Sequence, residues 1–266
     1  MSPDPVRLIA RRQAGPFIAQ DKDYRSDFRQ GWHEHPGASF DFVLRGGGTG
    51  VCGRERVDSV PGAVEFFPAG VRHNFTCAAT GIRTLHIIVP SEALELAGVR
   101  VDATPPTLPP ELFGKSCLVA LRAAHEPGDT GVLDLEAAVH ELIGLLTTRP
   151  WGRGGSVHAR RAAGVLTDRA GQAVTLDELA DAVGINRGHL AREFRRAHGC
   201  SPGEYQRRLR VRKAAGALAA EPEVPIVRVA LDCGFVDQAH LTNHFRRAFG
   251  LTPARYRALL NAGDAA

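Results

Sequence analysis

Along residues 6–90 the apolar positions come in short runs rather than at helical spacing. Phe40-Asp-Phe-Val-Leu44, Val64-Glu-Phe-Phe67 and Leu85-His-Ile-Ile-Val89 are rich in β-branched and aromatic residues. Turn formers separate the runs: Gly46-Gly-Gly48, Pro61-Gly62 and Pro68-Ala-Gly70. That pattern predicts many short strands in a sandwich or barrel. The stretch Thr-Pro-Pro-Thr-Leu-Pro-Pro at 104–110 reads as a connector without regular structure, because proline fixes φ and removes a backbone donor. Beyond it the period becomes helical, near 112–125 and 132–148. In the second stretch Leu135, Val139, Leu142, Ile143 and Leu146 share one stripe. A loop at 149–155 closes this half, and from 157 onward everything reads as helix.

The helical half nearly repeats itself. Leu190, Phe194, Arg195, Arg196, Ala197, Gly199, Pro202 and Tyr205 recur 51 residues later as Leu241, Phe245, Arg246, Arg247, Ala248, Gly250, Pro253 and Tyr256. His189 and His240 match at the same offset, and Gly184 and Gly234 at 50. Thr175-Leu-Asp-Glu178 has the form of a capping box, and Gly184 that of a left-handed stop. Asn186 can cap the following helix, and Ser201-Pro202 starts another with proline at the first helical position. Helix, tight glycine turn, helix is the helix-turn-helix pattern, here twice.

A helical wheel turns Leu190, Phe194 and Ala197 inward and leaves Gly188, Arg192, Arg195 and Arg196 outward, with His189 at the flank. In the second copy Leu241, Phe245 and Ala248 face inward, and Ala239, Asn243, Arg246 and Arg247 face out. Small residues permit close approach to a groove, Arg can hold guanine bidentately and Asn adenine, and the remaining arginines suit phosphates. The helix from about Pro202 to Ala219 spans roughly 26 Å at about 1.5 Å per residue. That is of the order needed to put two recognition helices in successive major grooves, about 34 Å apart. The plainer alternative is a helical interaction domain whose arginines form a solvated face; two copies with one inward pattern favour DNA.

Composition narrows the class. The chain has 266 residues, 44% hydrophobic and 23% charged, which excludes fibrous and wholly disordered proteins and suits two domains. No apolar run approaches the roughly 18 residues of a membrane span, and the N-terminus does not resemble a signal peptide. Cys52, Cys77, Cys117, Cys200 and Cys233 are odd in number and far apart, which suits reduced thiols in the cytoplasm. Charge divides unevenly: residues 1–155 carry a net −2 and residues 156–266 a net +6. The basic back half is the part expected to meet a polyanion.

The segment Gly234-Phe-Val-Asp-Gln-Ala-His-Leu-Thr-Asn-His-Phe-Arg-Arg-Ala-Phe-Gly-Leu-Thr-Pro-Ala-Arg-Tyr-Arg257 closely resembles the AraC-type transcription regulators, and the resemblance extends over about 100 residues and both helix-turn-helix units. It implies base-reading positions at Gly188, Ala191 and Arg192 in the first unit and at Gln238, Ala239, His240 and Asn243 in the second. With Arg187, His189, Arg195, Arg196, Arg246 and Arg247 these form the expected DNA-binding set. Gly188 and Ala191 leave Arg192 as nearly the only strong reader of its unit. The front half resembles the cupin-type sensor that often precedes this domain, through His33-Glu-His35, the Gly46–Gly48 turn and Gly62…Pro68-Ala-Gly70-Val-Arg-His73. The resemblance implies a β-barrel (jelly roll) that binds a small effector, and dimerisation through the helices behind it.

His33 and His35 are two apart, so on a strand they point to one face. On the cupin reading His73 lies across the barrel mouth and completes a three-nitrogen set for zinc or iron, with Asp41 or a water filling the fourth position. The competing reading makes these packing or hydrogen-bonding histidines, and no cofactor is required. The expected organisation is a multidomain α and β protein: a cupin-like effector-sensing domain at 1–103, a linker and helical dimerisation segment at 104–155, and an all-α double helix-turn-helix at 156–266. The expected function is an effector-controlled, non-enzymatic transcription regulator. Its expected partners are double-stranded DNA, a small molecule, a second copy and, for an activator, RNA polymerase, with no membrane. The alternative is a cupin metal-dependent enzyme, an oxygenase or isomerase, with a DNA-binding tail. Against it, the sequence offers no nucleophile elbow, phosphate loop or paired carboxylates at helical spacing.

Overall fold

In a computed structural model the residues described are 4–99, 107–147 and 156–262. The front half is one antiparallel sheet of eight strands: β1 (Val6–Ala14), β2 (Phe17–Tyr24), β3 (Arg29–His33), β4 (Ala38–Cys52), β5 (Glu55–Ser59), β6 (Val64–Phe67), β7 (His73–Val89) and β8 (Thr107–Leu108). The main path runs β1-β2-β7-β4-β6-β8, with β3 on β7 and β5 on β4. The two long strands serve both halves of the sheet. The first half of β4 pairs with β6 and the end of β7, and its second half with β5 and the start of β7. Val43 and Ile82 from one half meet Cys77 and Phe75 from the other in a small shared cluster, so the sheet curls back on itself.

Register sorts the side chains into two faces, since directly opposed residues share a face. One face carries the rows Ala19–Ile87–Phe40–Phe66 and Asp21–Leu85–Phe42–Val64–Leu108. Nearly all of these are buried apolar residues, and they pack beneath α2 (Pro110–His125) and α3 (Asp129–Thr147). The other face carries the polar row Gln20–His86–Asp41–Glu65.

Two sequence readings are corrected here. Gly46–Gly48 is not a turn but lies inside β4, at a register shift. The glycines are there because neighbours crowd the strand: a Cβ on Gly47 would sit 2.7 Å from the Ser59 carbonyl oxygen, and one on Gly48 would meet the Phe75 ring. The 104–110 connector is also partly regular. Thr107–Leu108 is strand β8, paired with β6, and Pro110 already opens α2. The predicted 149–155 loop lies outside the described residues.

After the short α1 (Ser91–Leu96) and the α2–α3 pair, the remaining helices are α4 (Val157–Asp168), α5 (Leu176–Val183), α6 (Arg187–His198), α7 (Pro202–Ala220), α8 (Ile226–Asp232), α9 (Gln238–Phe249) and α10 (Pro253–Ala262). The predicted punctuation at Thr175, Gly184, Asn186 and Pro202 is present, and the Ser201–Glu204 box, Gly199 and Gly250 add to it. Thr175–Glu178 and Ser201–Glu204 form reciprocal capping boxes, Asn186 caps α6, and Gly184, Gly199 and Gly250 take left-handed φ. The two repeats differ in what they pack against. The first unit has its own core of Ala162, Leu166, Leu179, Ala180, Val183, Leu190, Phe194 and Leu209. The second has none: Leu241, Phe245, Ala248, Phe249 and Tyr256 belong to the same continuous core as the sheet and α2–α3.

Candidate functional site

On α6, Leu190 and Phe194 are fully buried, which fixes the opposite face outward. Arg187, His189, Arg192, Arg195 and Arg196 are exposed there, with Gly188 and Ala191 half-buried. On α9 the burial of Leu241, Phe245 and Ala248 leaves Gln238, Ala239, Asn243, Arg246 and Arg247 exposed and His240 half-buried. Each unit thus brings its sequence-predicted residues to one accessible helix face. Some have intramolecular partners: Arg187 meets Asp177 at 3.5 Å and His189 meets Glu193 at 3.2 Å. His240 lies edge-on to Phe235, and its Nδ1 accepts the Val236 N–H at 3.5 Å.

In the sensor, His33, His35 and His73 converge, with ligand atoms all within 4.8 Å of one another. The route differs from the one expected. β3 ends at His33, so His35 lies just past the strand, and His73 sits not across the barrel but on β7 directly opposite His33. Ring centroids are 4.1 Å apart for His33 and His73, and 4.7 Å for His33 and His35. Nδ1–H of His33 donates to the Gly31 carbonyl at 2.8 Å and that of His73 to the Val71 carbonyl at 2.9 Å. Burial and the neighbouring imidazoles hold His35 and His73 below the usual histidine pKa. Asp41, considered as a fourth ligand, is instead hydrogen-bonded to His86 Nδ1 on the adjacent strand. Beside that pair Glu65 is buried, and desolvation pushes its carboxyl up to about 8. Asp41 and His86 keep 21% and 14% side-chain exposure, so water reaches this polar row.

The sequence reading missed the joint between sensor and second unit. Arg83, on the apolar face of β7, holds Asp21 bidentately at 2.8 and 3.0 Å and donates to the Leu260 carbonyl of α10 at 2.9 Å. His125 at the end of α2 meets the same carboxylate at 2.8 Å. Burial raises the Asp21 pKa, but the His125 and Arg83 hydrogen bonds outweigh it and leave the carboxyl below its ordinary value. Nearby, Phe249 fills a slot between Gly62 and Gly114, and Arg208 of α7 pairs with Glu111 of α2. One signal was available in the sequence: Asp21 and Arg83 are opposite charges at positions whose strand alternation calls for apolar residues.

A double helix-turn-helix with basic outer helix faces, fused to a curled antiparallel sheet with a polar inner row, defines a ligand-responsive DNA-binding protein. The comparisons with known proteins specify which one. The AraC-like ligand binding domain matches residues 15–153 and a helix-turn-helix domain matches 179–259, so the chain belongs to the AraC family of transcription regulators. The probable transcription factor PqrA of Proteus vulgaris is 37% identical over 86 residues, 32% of this chain and 70% of that protein. The transcriptional activator RhaS of Escherichia fergusonii is 33% identical over 92 residues, 35% of this chain and 33% of that protein. Among solved structures, the DNA-binding domain of AdpA in complex with a target DNA is 28% identical, covering 40% of this chain and 96% of that one, with a TM-score of 0.38. Fatty-acid-bound ToxT from Vibrio cholerae is 11% identical, covering 94% and 98%, with a TM-score of 0.39. The sequence left a regulator and an enzyme in competition, and family membership decides for the regulator. Among the described residues no helix is long and apolar enough to cross a membrane.

Proposed function

We propose that this protein is a cytoplasmic, homodimeric regulator that reads two successive major grooves with α6 and α9 and takes its effector on the inner face of the sensor. Arg192 and Asn243 are the principal base readers, with Gly188, Ala191, Gln238, Ala239 and His240 setting the approach. Arg187, Arg195, Arg196, Arg246 and Arg247 hold phosphates, and His189 flanks them. The observation that carries this reading is the matched pair of helices, each packed by the same inward residues and exposed on the same polar and basic face. Dimerisation runs along α3, whose outward residues include Leu133, 65% exposed; an activator of this kind also meets RNA polymerase. The test is selection of a binding site from random duplexes, repeated with variants. Arg192→Ala is expected to cost about 1–3 kcal/mol and to relax preference at one base position. Arg246→Ala should weaken binding on all sequences alike and reduce the salt dependence by about one ion. Arg192→Ala binding that weakens equally on every sequence would move Arg192 to the phosphate set.

A further inference from the structure

A cleft of about 220 Å³ lies where the sensor meets the first helix-turn-helix unit. The sensor contributes Val60 and Pro61 from the loop after β5, and α7 contributes Leu209, Arg212, Lys213 and Gly216. We propose that this cleft binds a small organic carboxylate, with its acid group on Arg212 and Lys213 and its apolar body against Val60, Pro61 and Leu209.

Three observations carry this. The first is charge without counter-charge. Among the described residues Arg212 and Lys213 form no ion pair, and Lys213 Nζ donates to the Asp232 carbonyl at 3.0 Å, which leaves its charge unneutralised. Arg212 is half-buried, and burial pulls its pKa below the ordinary arginine value despite Tyr205, Glu65 and Glu111 nearby. Neither carboxyl neutralises it: Glu111 pairs with Arg208, and the Glu65 carboxyl, raised to about 8, is mostly protonated at neutral pH. A partly desolvated cation without a partner is costly, and a bound anion relieves that cost. The second is Gly216, inside α7, where glycine is disfavoured relative to alanine. Packing does not demand it, because an added Cβ would come nearest to Pro61 at 3.6 Å, an ordinary contact. The missing side chain keeps the cleft open. The third is the lining. Val60, Pro61 and Leu209 are apolar and the charges come from α7, so the site suits an anion with an apolar body. A carboxylate matches the guanidinium fork. The cleft is smaller than the roughly 300–1,000 Å³ of pockets for drug-sized ligands, so its occupant is small. None of these residues belongs to the polar inner row, to α6 or to α9, and an occupant would touch the sensor and the first unit at once.

The test titrates the full-length protein with benzoate by calorimetry, with benzamide as its neutral isostere and inorganic phosphate as an anion without an apolar body. One equivalent of benzoate per chain is expected, and benzamide and phosphate should each bind at least about tenfold more weakly. Arg212→Met keeps the apolar stem and removes the charge, and its benzoate affinity should fall at least about tenfold. Gly216→Leu fills the cleft while leaving both cations in place, and it should abolish benzoate binding. Leucine is the better helix former, so this variant keeps the fold and decides the matter if Arg212→Met does not melt cooperatively. Absence of saturable benzoate binding, benzamide or phosphate binding as tightly as benzoate, or either folded variant binding benzoate like wild type overturns the proposal. DNA is absent from the titration, so the result stands apart from the reading of α6 and α9.

Discussion

Arg83 is only 1% exposed, yet its guanidinium is tied to Asp21 and to the end of the last described helix. A buried charge is tolerable only when paired, and bidentate geometry makes this pair a strong one. Arg83→Ala would strand the Asp21 carboxylate and should destabilise the fold by about 3–5 kcal/mol in urea unfolding. A loss below about 1 kcal/mol would mean that water or His125 already satisfies Asp21. Glu65 gives the opposite pH signature. Its carboxyl is raised from 4.5 to about 8 by burial, with Asp41 adding to the rise and Ser59 opposing it. The folded state therefore holds a proton that the unfolded chain has released. Its stabilising effect is complete below about pH 4.5 and is lost as pH rises towards 8. Urea melts of wild type and Glu65→Gln should accordingly diverge across that window, the wild type losing more. Parallel curves would show that Glu65 ionises in the fold without penalty.

At the scale of elements, α6 and α9 are near copies with different neighbours. Position 249 is a phenylalanine, fully buried against Gly114 and Phe42, while its counterpart in the first copy is His198. That exchange places the second unit on the sensor and leaves the first on its own core. Gly114→Ala tests the contact, because the new Cβ would lie 2.8 Å from the Phe249 ring. Overpacking of this kind costs about 1–3 kcal/mol, against a gain of up to about 1 from helix propensity. The net loss should appear as faster proteolysis in the α8–α10 region, and unchanged cleavage there would mean the slot is roomier than its walls imply. Much of this level was legible beforehand. The capping boxes, left-handed glycines and inward stripes are local patterns, so both helix-turn-helix units could be read along the chain. The glycines at 46–48 misled because a glycine that admits a crossing strand looks like one that makes a turn. At the joint the buried charges of Asp21 and Arg83 left a trace in the strand alternation, but the Leu260 end of the contact left none. The pairing of Asp41 with His86 was hidden for the same reason: it is set by strand register, which no spacing reveals.

For the whole molecule, β7 is the element that joins the parts. It carries His73 and His86 on the inner side of the sensor and Arg83 on the side that grips α10. An effector bound at the inner face, as proposed, would act on a strand that already touches the second helix-turn-helix, and this contact could carry a coupling of order 1–3 kcal/mol. The separate cores of the two units have a further consequence for where the protein sits on a promoter. If α6 and α9 read DNA as proposed, the bases under α9, which is built into the sensor, should act as the address of the sensor, and those under α6, which is not, should adjust its grip. A reactive group attached through Leu96→Cys, at a 91% exposed position in a chain whose own cysteines are buried, would report that address by cleaving the duplex. Moving the α9 half-site by one helical turn, about 10 base pairs, should carry the cleavage with it, whereas cleavage that tracks the α6 half-site would reverse the assignment. Operators for this protein should thus be asymmetric in kind as well as in sequence: one half fixes location, and the other fixes strength.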